Sequence, residues 1–398
     1  AAATEFGALV PMVDSDTLVT EFLQLIQTMC GDENQTIQVT AIGFVADYAT
    51  QLKKNNAQQV LTNDILGMVK SLTDNISWKI RQALSNKFSL FARVFQPNEV
   101  TADVFGCLIH LILDPEPEVR SLAILEVLPF LEVVGTNQFL TELAPAAQQL
   151  AEDPMPNVRK LLADLLVDVA AKVGPEAVSQ HLSDLIIKLM DDEDPMVRIR
   201  VIKKIPTIAE EAPSLLTRLT EFLVSLYAST NWRVRKELSL TMAAVVKHMG
   251  QEYFVDHFQQ PMLQMLQDGV DEVRTAGAIG VGLICEVGNA QWVYDSLFPS
   301  VKAMCTGEYL VRLSSISGLE QLLKIEKISD KFRSEIIDLL VAMSEDKVPN
   351  IRIRCAQTLY ATSSFPHLDD FKGLTAPCVA KLQSDSDKDV KYFAGLIP

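Results

Sequence analysis

The chain has 398 residues, 48% hydrophobic and 22% charged, a balance that excludes a disordered linker and leaves ample apolar surface for a folded core. Its formal net charge is −16, from 35 Lys and Arg against 51 Asp and Glu. So acidic a chain repels phosphate backbones and anionic lipid, which argues against nucleic acid and membranes as partners and leaves neutral or basic protein surfaces.

The six cysteines, Cys30, Cys107, Cys285, Cys305, Cys355 and Cys378, include no CxxC pair and mostly fall in apolar helical stretches. They read as small buried hydrophobes of a reducing compartment, the cytoplasm or the nucleus. The longest apolar runs, such as 276–285, fall well short of the roughly 20 residues that span a bilayer. The chain opens on Ala1-Ala2-Ala3-Thr4-Glu5, with neither an initiator Met nor a secretory pattern. That opening is compatible with a fragment of a longer protein.

From the N-terminus onward one short motif recurs, an aliphatic residue followed by Arg or Lys. After a weak copy at Ile37-Gln38 it stands at Ile80-Arg81, Val119-Arg120, Val158-Arg159, Val197-Arg198, Val234-Arg235, Val273-Arg274, Val311-Arg312, Ile351-Arg352 and Val390-Lys391. From the weak copy on, every spacing lies between 37 and 43. Five positions before the anchor stands Asp32, Asn75, Asp114, Asp153, Asp192, Asp268, Asp346 or Asp385, with Ser229 and Thr306 as the exceptions. An Asp there can cap the helix that follows, and the Arg after the anchor can reach the Asp turn of a neighbouring repeat. A ladder of such pairs is expected; as exposed pairs they are each worth about 0–1 kcal/mol and serve mainly alignment.

Each period reads helix, turn, helix. Val158, Leu161, Leu162, Leu165, Leu166 and Val169 keep the i, i+3, i+4, i+7 spacing of an amphipathic helix. Gly174-Pro175 ends that helix, and Gly135 and Gly250 hold the same offset in their copies. Pro145, Pro261, Pro299 and Pro377, 12 or 13 residues before their anchors, predict a kink in the first helix of each pair. The fold class is therefore all-α: an α-α superhelix, a HEAT-type solenoid of about ten repeats of roughly 39 residues. A single solenoid over 1–398 is expected, beginning with a partial repeat at 1–30.

Chemistry-bearing patterns are sparse. His110, His181, His248, His257 and His367 keep no metal-ligand spacing, and Asp191-Asp192-Glu193-Asp194 reads as a solvated turn. Gly277, Gly280, Gly282 and Gly288 follow no strand, so they read as glycines that weaken one helix and make a flex point. No GxSxG turn occurs. The expectation is a non-enzyme without metal or cofactor.

Three segments carry a family resemblance. Asn231-Trp232-Arg233-Val234-Arg235 with Gly250-Gln251-Glu252-Tyr253-Phe254, Ser77-Trp78-Lys79-Ile80-Arg81 with Asn86-Lys87-Phe88, and Asp389-Val390-Lys391-Tyr392-Phe393-Ala394 resemble repeats of the 65 kDa scaffold subunit family of protein phosphatase 2A. In that register the chain would begin within the family's fifth repeat and end in the last helix of the fifteenth, left incomplete. The resemblance implies a scaffold whose partners are the phosphatase 2A catalytic subunit and a regulatory B-type subunit. It places the catalytic-subunit contacts at Trp232, Arg233, Tyr309, Leu310 and Val348, in repeats 216–398. Regulatory-subunit contacts fall to Trp78 and Lys79, in repeats 31–215. Independently, an exposed Trp followed by Arg on a turn has the composition of an interface hot spot. Two departures stand out: the turn Asp268-Gly269-Val270-Asp271-Glu272 is more acidic than its counterpart, and Lys79 replaces an Arg and cannot make its bidentate fork. A regulatory subunit of the phosphatase 4 type, expected to carry long insertions between repeats, and a nuclear transport receptor are the alternatives. Cytoplasmic localisation is expected, with the nucleus as a second compartment.

Overall fold

A computed structural model describes residues 9–136 and 140–397; the opening Ala1–Glu5 lies outside them. The fold is all-α and built of HEAT-type helix pairs. The chain divides into two compact units, Ala1–Val201 and Ile202–Pro398.

The second helices of the pairs carry the anchors. In the first unit they are α1 (Gln35–Lys54), α2 (Trp78–Ser85), α3 (Pro117–Val134) and α4 (Pro156–Val173); the unit boundary falls within α5 (Pro195–Lys203). In the second they are α6 (Trp232–Met249), α7 (Asp271–Val287), α8 (Tyr309–Leu323), α9 (Pro349–Thr362) and α10 (Lys388–Gly395). The anchors Ile80, Val119, Val158, Val197, Val234, Val273, Ile351 and Val390 are all buried. Each sits at the first turn of its helix, so it is driven inward as the helix starts. The expected C-cap glycines hold: Gly135, Gly174 and Gly250 close α3, α4 and α6 at φ of 91°, 80° and 91°. Only glycine adopts that left-handed conformation without Cβ strain.

The proline expectation needs refinement. Pro261 and Pro299, 12 residues before their anchors, do interrupt their helices: Gln251–His257 is separated from Gln259–Met265 at Phe258, and Ala290–Ser296 from Phe298–Met304 at Leu297. Pro145 and Pro377, 13 residues before, lie within unbroken helices, Leu140–Leu150 and Lys372–Gln383. The first unit uses another device. Four of its first helices contain a π-helical stretch: Leu18–Phe22, Leu61–Ile65, Val100–Val104 and Val178–Leu182.

The flex-point reading of the α7 glycines is overturned. A Cβ on Gly280 would collide with the Ser239 carbonyl of α6 and stand 2.5 Å from Met262 Cε; one on Gly282 would stand 2.6 Å from Gln321 Cγ of α8. Across the same interface, Gly318 of α8 would place a Cβ 2.9 Å from the Ala278 carbonyl of α7. The missing side chains let three helices pack backbone to backbone, which tightens this stretch.

All six thiols are free and buried. Burial pushes Cys30 up to about 12 and Cys285 up to about 11, so neither is a nucleophile at neutral pH.

Candidate partner-binding turns

The turns before the second helices are built around the expected Asp, but more deeply than expected. In the first unit Arg81 Nη2 donates to Asp114 Oδ1 (2.8 Å), Arg120 Nη2 to Asp153 Oδ1 (2.9 Å) and Arg159 Nη2 to Asp192 Oδ1 (2.9 Å). In the second unit Arg235 reaches Asp268 (2.8 Å), Arg312 reaches Asp346 (3.1 Å) and Arg352 reaches Asp385 (2.8 Å) in the same way. In five of the six pairs Nε donates to the other carboxylate oxygen, completing a fork. Arg120 Nε lies 2.6 Å from Asp153 Oδ2 but off the bonding direction, so Nη2 carries that pair.

The same atoms hold the turn itself. Asp153 Oδ1 accepts from the Met155 N–H (2.8 Å), and Arg159 Nη1 donates to the Asp153 carbonyl (2.7 Å). Asp268 with Val270 and Arg274, and Asp346 with Val348 and Arg352, repeat the arrangement. The Asp side chains are 1–11% exposed and the Arg side chains 6–16%. The expectation of an exposed, marginal ladder is therefore corrected: these pairs are interior, where an orphaned partner is costly. Burial works against charge on Asp268, but the Arg235 fork and the Val270 N–H outweigh it and hold its carboxyl below the usual range. Asp346 is lowered in the same way, by the Val348 N–H and Arg312, and Asp385 chiefly by Arg352.

Three turns lack the Asp, and they are the three that carry an aromatic residue at the helix start; the turn bonds themselves persist where Asn75 Oδ1 accepts the Ser77 N–H (2.9 Å) and where the Asn75 and Ser229 carbonyls accept Arg81 (2.7 Å) and Arg235 (2.6 Å). Asn75 precedes Trp78, Ser229 precedes Trp232, and Thr306 precedes Tyr309. Every turn with an Asp after the first begins its helix instead with Pro117, Pro156, Pro195, Asp271, Pro349 or Lys388. The Arg that would fork onto Thr306 in the repeat pattern, Arg274, leaves Nε buried and unpartnered among the described residues. Arg274 turns back to its own repeat, to the Asp268 carbonyl (2.7 Å) and Asp271 Oδ1 (3.1 Å). This coincidence of missing acid and added aromatic was available from the sequence once the turns were compared position by position.

At the Trp232 turn, Asn231 caps α6 by accepting from the Arg233 N–H (3.0 Å). The Trp232 ring is half-buried, with the exposed Arg233 guanidinium 4.4 Å from its centroid and Lys236 Nζ at 5.8 Å. Two cations within about 6 Å of one indole ring make a preformed cation–π cluster, steadied by the Lys236–Glu272 ion pair at 2.5 Å. Tyr309 is half-buried and its hydroxyl accepts from Asn350 Nδ2 (3.0 Å), which joins two successive turns; Leu310 beside it is 50% exposed. Val348 is the half-buried N-cap of α9, its N–H held by Asp346. In the first unit, Trp78 is half-buried beneath exposed Lys79, with Nζ 5.9 Å from the ring centroid, and Ile76 two residues earlier is wholly exposed. The structure thus gathers the predicted residues at turns of one kind, two in the second unit and one in the first, with Val348 set on an Asp turn. Among the described residues there is no group of three or more His, Cys, Asp or Glu side chains that could hold a metal, and no helix long and apolar enough to cross a membrane.

The chain is 26% identical over 275 residues to serine/threonine-protein phosphatase 4 regulatory subunit 1 of Homo sapiens, a stretch covering 63% of this chain and 28% of that protein. It is 24% identical over 128 residues to the beta isoform of the 65 kDa regulatory subunit of serine/threonine-protein phosphatase 2A of Homo sapiens, covering 31% of this chain and 21% of that protein. The chain thus spans under a third of the length of these relatives. No family model matches. Among solved structures, the karyopherin Kap121p bound to Nup53p superposes with a TM-score of 0.67 at 12% identity, over 95% of this chain and 41% of that one. Kap95p in complex with RanGDP superposes with a TM-score of 0.68 at 13% identity, over 100% and 55%. At such identities the structural likeness speaks for the fold alone.

Proposed function

We propose that this chain is a non-catalytic scaffold that binds a serine/threonine phosphatase catalytic subunit. The contacts are made through Trp232, Arg233, Tyr309, Leu310 and Val348 in its repeats over 216–398. Trp78 and Lys79, in the repeats over 31–215, receive a regulatory partner of the B type. The observation that carries the reading is the break in the ladder: where the internal Asp is given up, an aromatic residue is placed at the edge instead. That is the arrangement of an anchor meant for another surface. Similarity to two phosphatase regulatory subunits supplies the partner class. Such a scaffold acts by tethering, which raises the effective concentration of enzyme beside bound substrate. Any metal chemistry belongs to the partner. The acidic, thiol-burying chain suits the cytoplasm, with the nucleus as a second site.

Whether the catalytic subunit is of the 2A or the 4 type is the finer question. The first relative is matched over 275 residues and the second over 128, which favours the phosphatase 4 type as the alternative. Both arms belong in one experiment. Immobilised full-length chain is offered each purified catalytic subunit, and a Trp232→Ala, Arg233→Ala double variant of unchanged helicity is run beside it. Capture by wild type and at least about tenfold loss in the variant, the usual scale for hot-spot truncation, supports the reading, and the preferred subunit names the type. Capture of neither by a folded wild-type chain rejects it.

A further inference from the structure

The first unit holds a shallow hollow of about 450 Å³, lined by Val39 and Gly43 of α1, by Trp78, Lys79, Gln82, Ala83 and Asn86 on and just after α2, and by Leu122 of α3. Its only charged wall residue is Lys79, in a chain of net charge −16. Lys79 makes no ion pair among the described residues; its one contact of note is the Trp78 ring. Lys79, Gln82 and Ala83 stand at i, i+3 and i+4 on one face of α2, and Asn86, the C-cap whose N–H still bonds the Gln82 carbonyl (3.3 Å), follows at i+7. The side-chain amides of Gln82 and Asn86 have no hydrogen-bond partner among the described residues. The floor is small and apolar: Gly43, Ala83, Val39 and Leu122 are all half-exposed.

The hollow is held open by the local fold. α2 stops at Ser85, and Asn86 turns to extended backbone. Lys87 follows in the left-handed region at φ 65°, unusual for a residue with a Cβ. Neighbouring helices fasten the break: Asp47 of α1 takes the Lys87 ammonium (2.8 Å), and Glu126 of α3 takes the Ser89 N–H (2.9 Å). α1 and α3, by contrast, run on for 20 and 18 residues.

We infer that this hollow binds an extended peptide segment of a partner, with an acidic residue beside Lys79 and aliphatic residues on the Gly43–Ala83 floor. A primary amide offers one acceptor and a donor, the complement of one backbone peptide unit. Side chains four apart on a helix are about 6 Å apart along its axis. Same-side peptide groups of an extended chain recur every ~6.6 Å. Gln82 and Asn86 are therefore spaced for two alternate peptide units of a strand-like segment. A bound helix would have its own N–H and C=O groups satisfied internally and would leave both amides idle. The single cation selects for an acidic neighbour. This inference rests on the reading of Trp78 and Lys79 as partner contacts and is independent of the phosphatase assignment.

The test uses the full chain and fluorescence polarisation. The probe is a labelled pool of capped eight-residue peptides with one Glu and aliphatic residues at the second and fourth places after it. Controls are the same pool with Lys for Glu, the pool N-methylated at alternate amides, and a single-stranded oligonucleotide. Saturable binding of the acidic pool is expected, weaker by about tenfold or more (~1.4 kcal/mol) for the Lys and N-methyl pools. Gln82→Ala with Asn86→Ala should cost as much, and Lys79→Glu should reverse the preference between the Glu and Lys pools. Gly43→Leu should abolish binding by filling the floor, where a Cβ meets nothing within 4 Å. Circular dichroism checks that each variant is folded. The inference is overturned if wild type binds no acidic pool, if Gly43→Leu binds normally, if N-methylation has no effect, or if the oligonucleotide competes better than peptide. The Trp232→Ala, Arg233→Ala variant should keep full peptide binding, so failure of phosphatase capture and failure of this inference are separable results.

Discussion

The turn at Asp153 and the turn at Thr306 occupy the same place in the repeat pattern and end with opposite roles. At Asp153 one carboxylate accepts the Met155 N–H of its own turn and the Arg120 guanidinium of the repeat before, with both ionic side chains under a tenth exposed. The turn is fixed, and its helix begins with Pro156, which offers a partner little beyond a rigid start. At Thr306 the carboxylate is absent, Arg274 keeps a buried Nε without a partner among the described residues, and the helix begins with Tyr309 and a half-exposed Leu310. A repeat protein distributes its stability over many neighbour contacts, so it can release one without unfolding. The difference teaches that internal locking and outward display are exchanged turn by turn.

The strongest way to break this comparison is to unlock a locked turn. Asp153→Ala strips Arg120 of its one side-chain acceptor among the described residues and leaves the Met155 N–H without its cap. Orphaning a charge in a buried pair costs about 3–5 kcal/mol. Denaturant unfolding should show the midpoint falling accordingly, while Thr306→Ala, at a turn already unlocked, should change it little. Acid does the same work reversibly. Asp268, Asp346 and Asp385 titrate below the ordinary 3.8 in the folded chain. The unfolded chain therefore binds protons first as pH falls, and the stability these groups contribute is full above about pH 5 and is lost as pH drops through their folded values. A thermal-melt series from about pH 6 to about pH 3 should be flat at its upper end and fall steeply at its lower.

The glycines give the next effect in size. Gly280→Ala forces a methyl into the Ser239 carbonyl and Met262, and overpacking of this kind costs about 1–3 kcal/mol. Gly67→Ala, in the helix Leu66–Thr73 with open space around its Cβ, should instead stabilise by roughly 0.5–1 kcal/mol through helix propensity. Equal responses at the two positions, measured by the same denaturant melts, would restore the reading of Gly280 as slack.

Much of the fold was legible because it depends on spacing along the chain. Anchor, Asp and C-cap glycine recur at fixed offsets, and Gly135, Gly174 and Gly250 do take the left-handed conformation that the pattern requires. What could not be read depends on contacts between repeats. Gly280 loosens or tightens a helix according to what faces it, and that is decided by Ser239, some forty residues away. The depth of the ladder is hidden for the same reason: the sequence spaces Arg120 and Asp153 one repeat apart but does not reveal that both lie inside. The aromatic turns stand out by residue type and by resemblance. Their shared lack of Asp was equally present in the sequence, whereas the hollow beside Trp78 needed three helices brought together.

The smallest expected effect is also the most direct conversion of one kind of turn into the other. Thr306→Asp restores the missing acceptor in the position that Asp268 and Asp346 occupy in their repeats. Arg274 Nε, buried and without a partner among the described residues, gains a carboxylate to fork onto, in competition with the present Nη2 bond to Asp271 (3.1 Å). Desolvating a new carboxylate offsets part of the gain, so the net should be about 1 kcal/mol of added stability, read as a rise in the unfolding midpoint with an unchanged slope. If the unlocked turn serves binding, the same variant should hold the phosphatase catalytic subunit less well, because a turn pinned from within has less freedom to seat Tyr309 and Leu310 against a partner. A variant that gains stability and binds as before would separate the two roles and reduce the missing Asp to a structural accident. One that loses stability would mean that the space beside Arg274 is already filled, and that the turn at Thr306 was never an open version of the turn at Asp153.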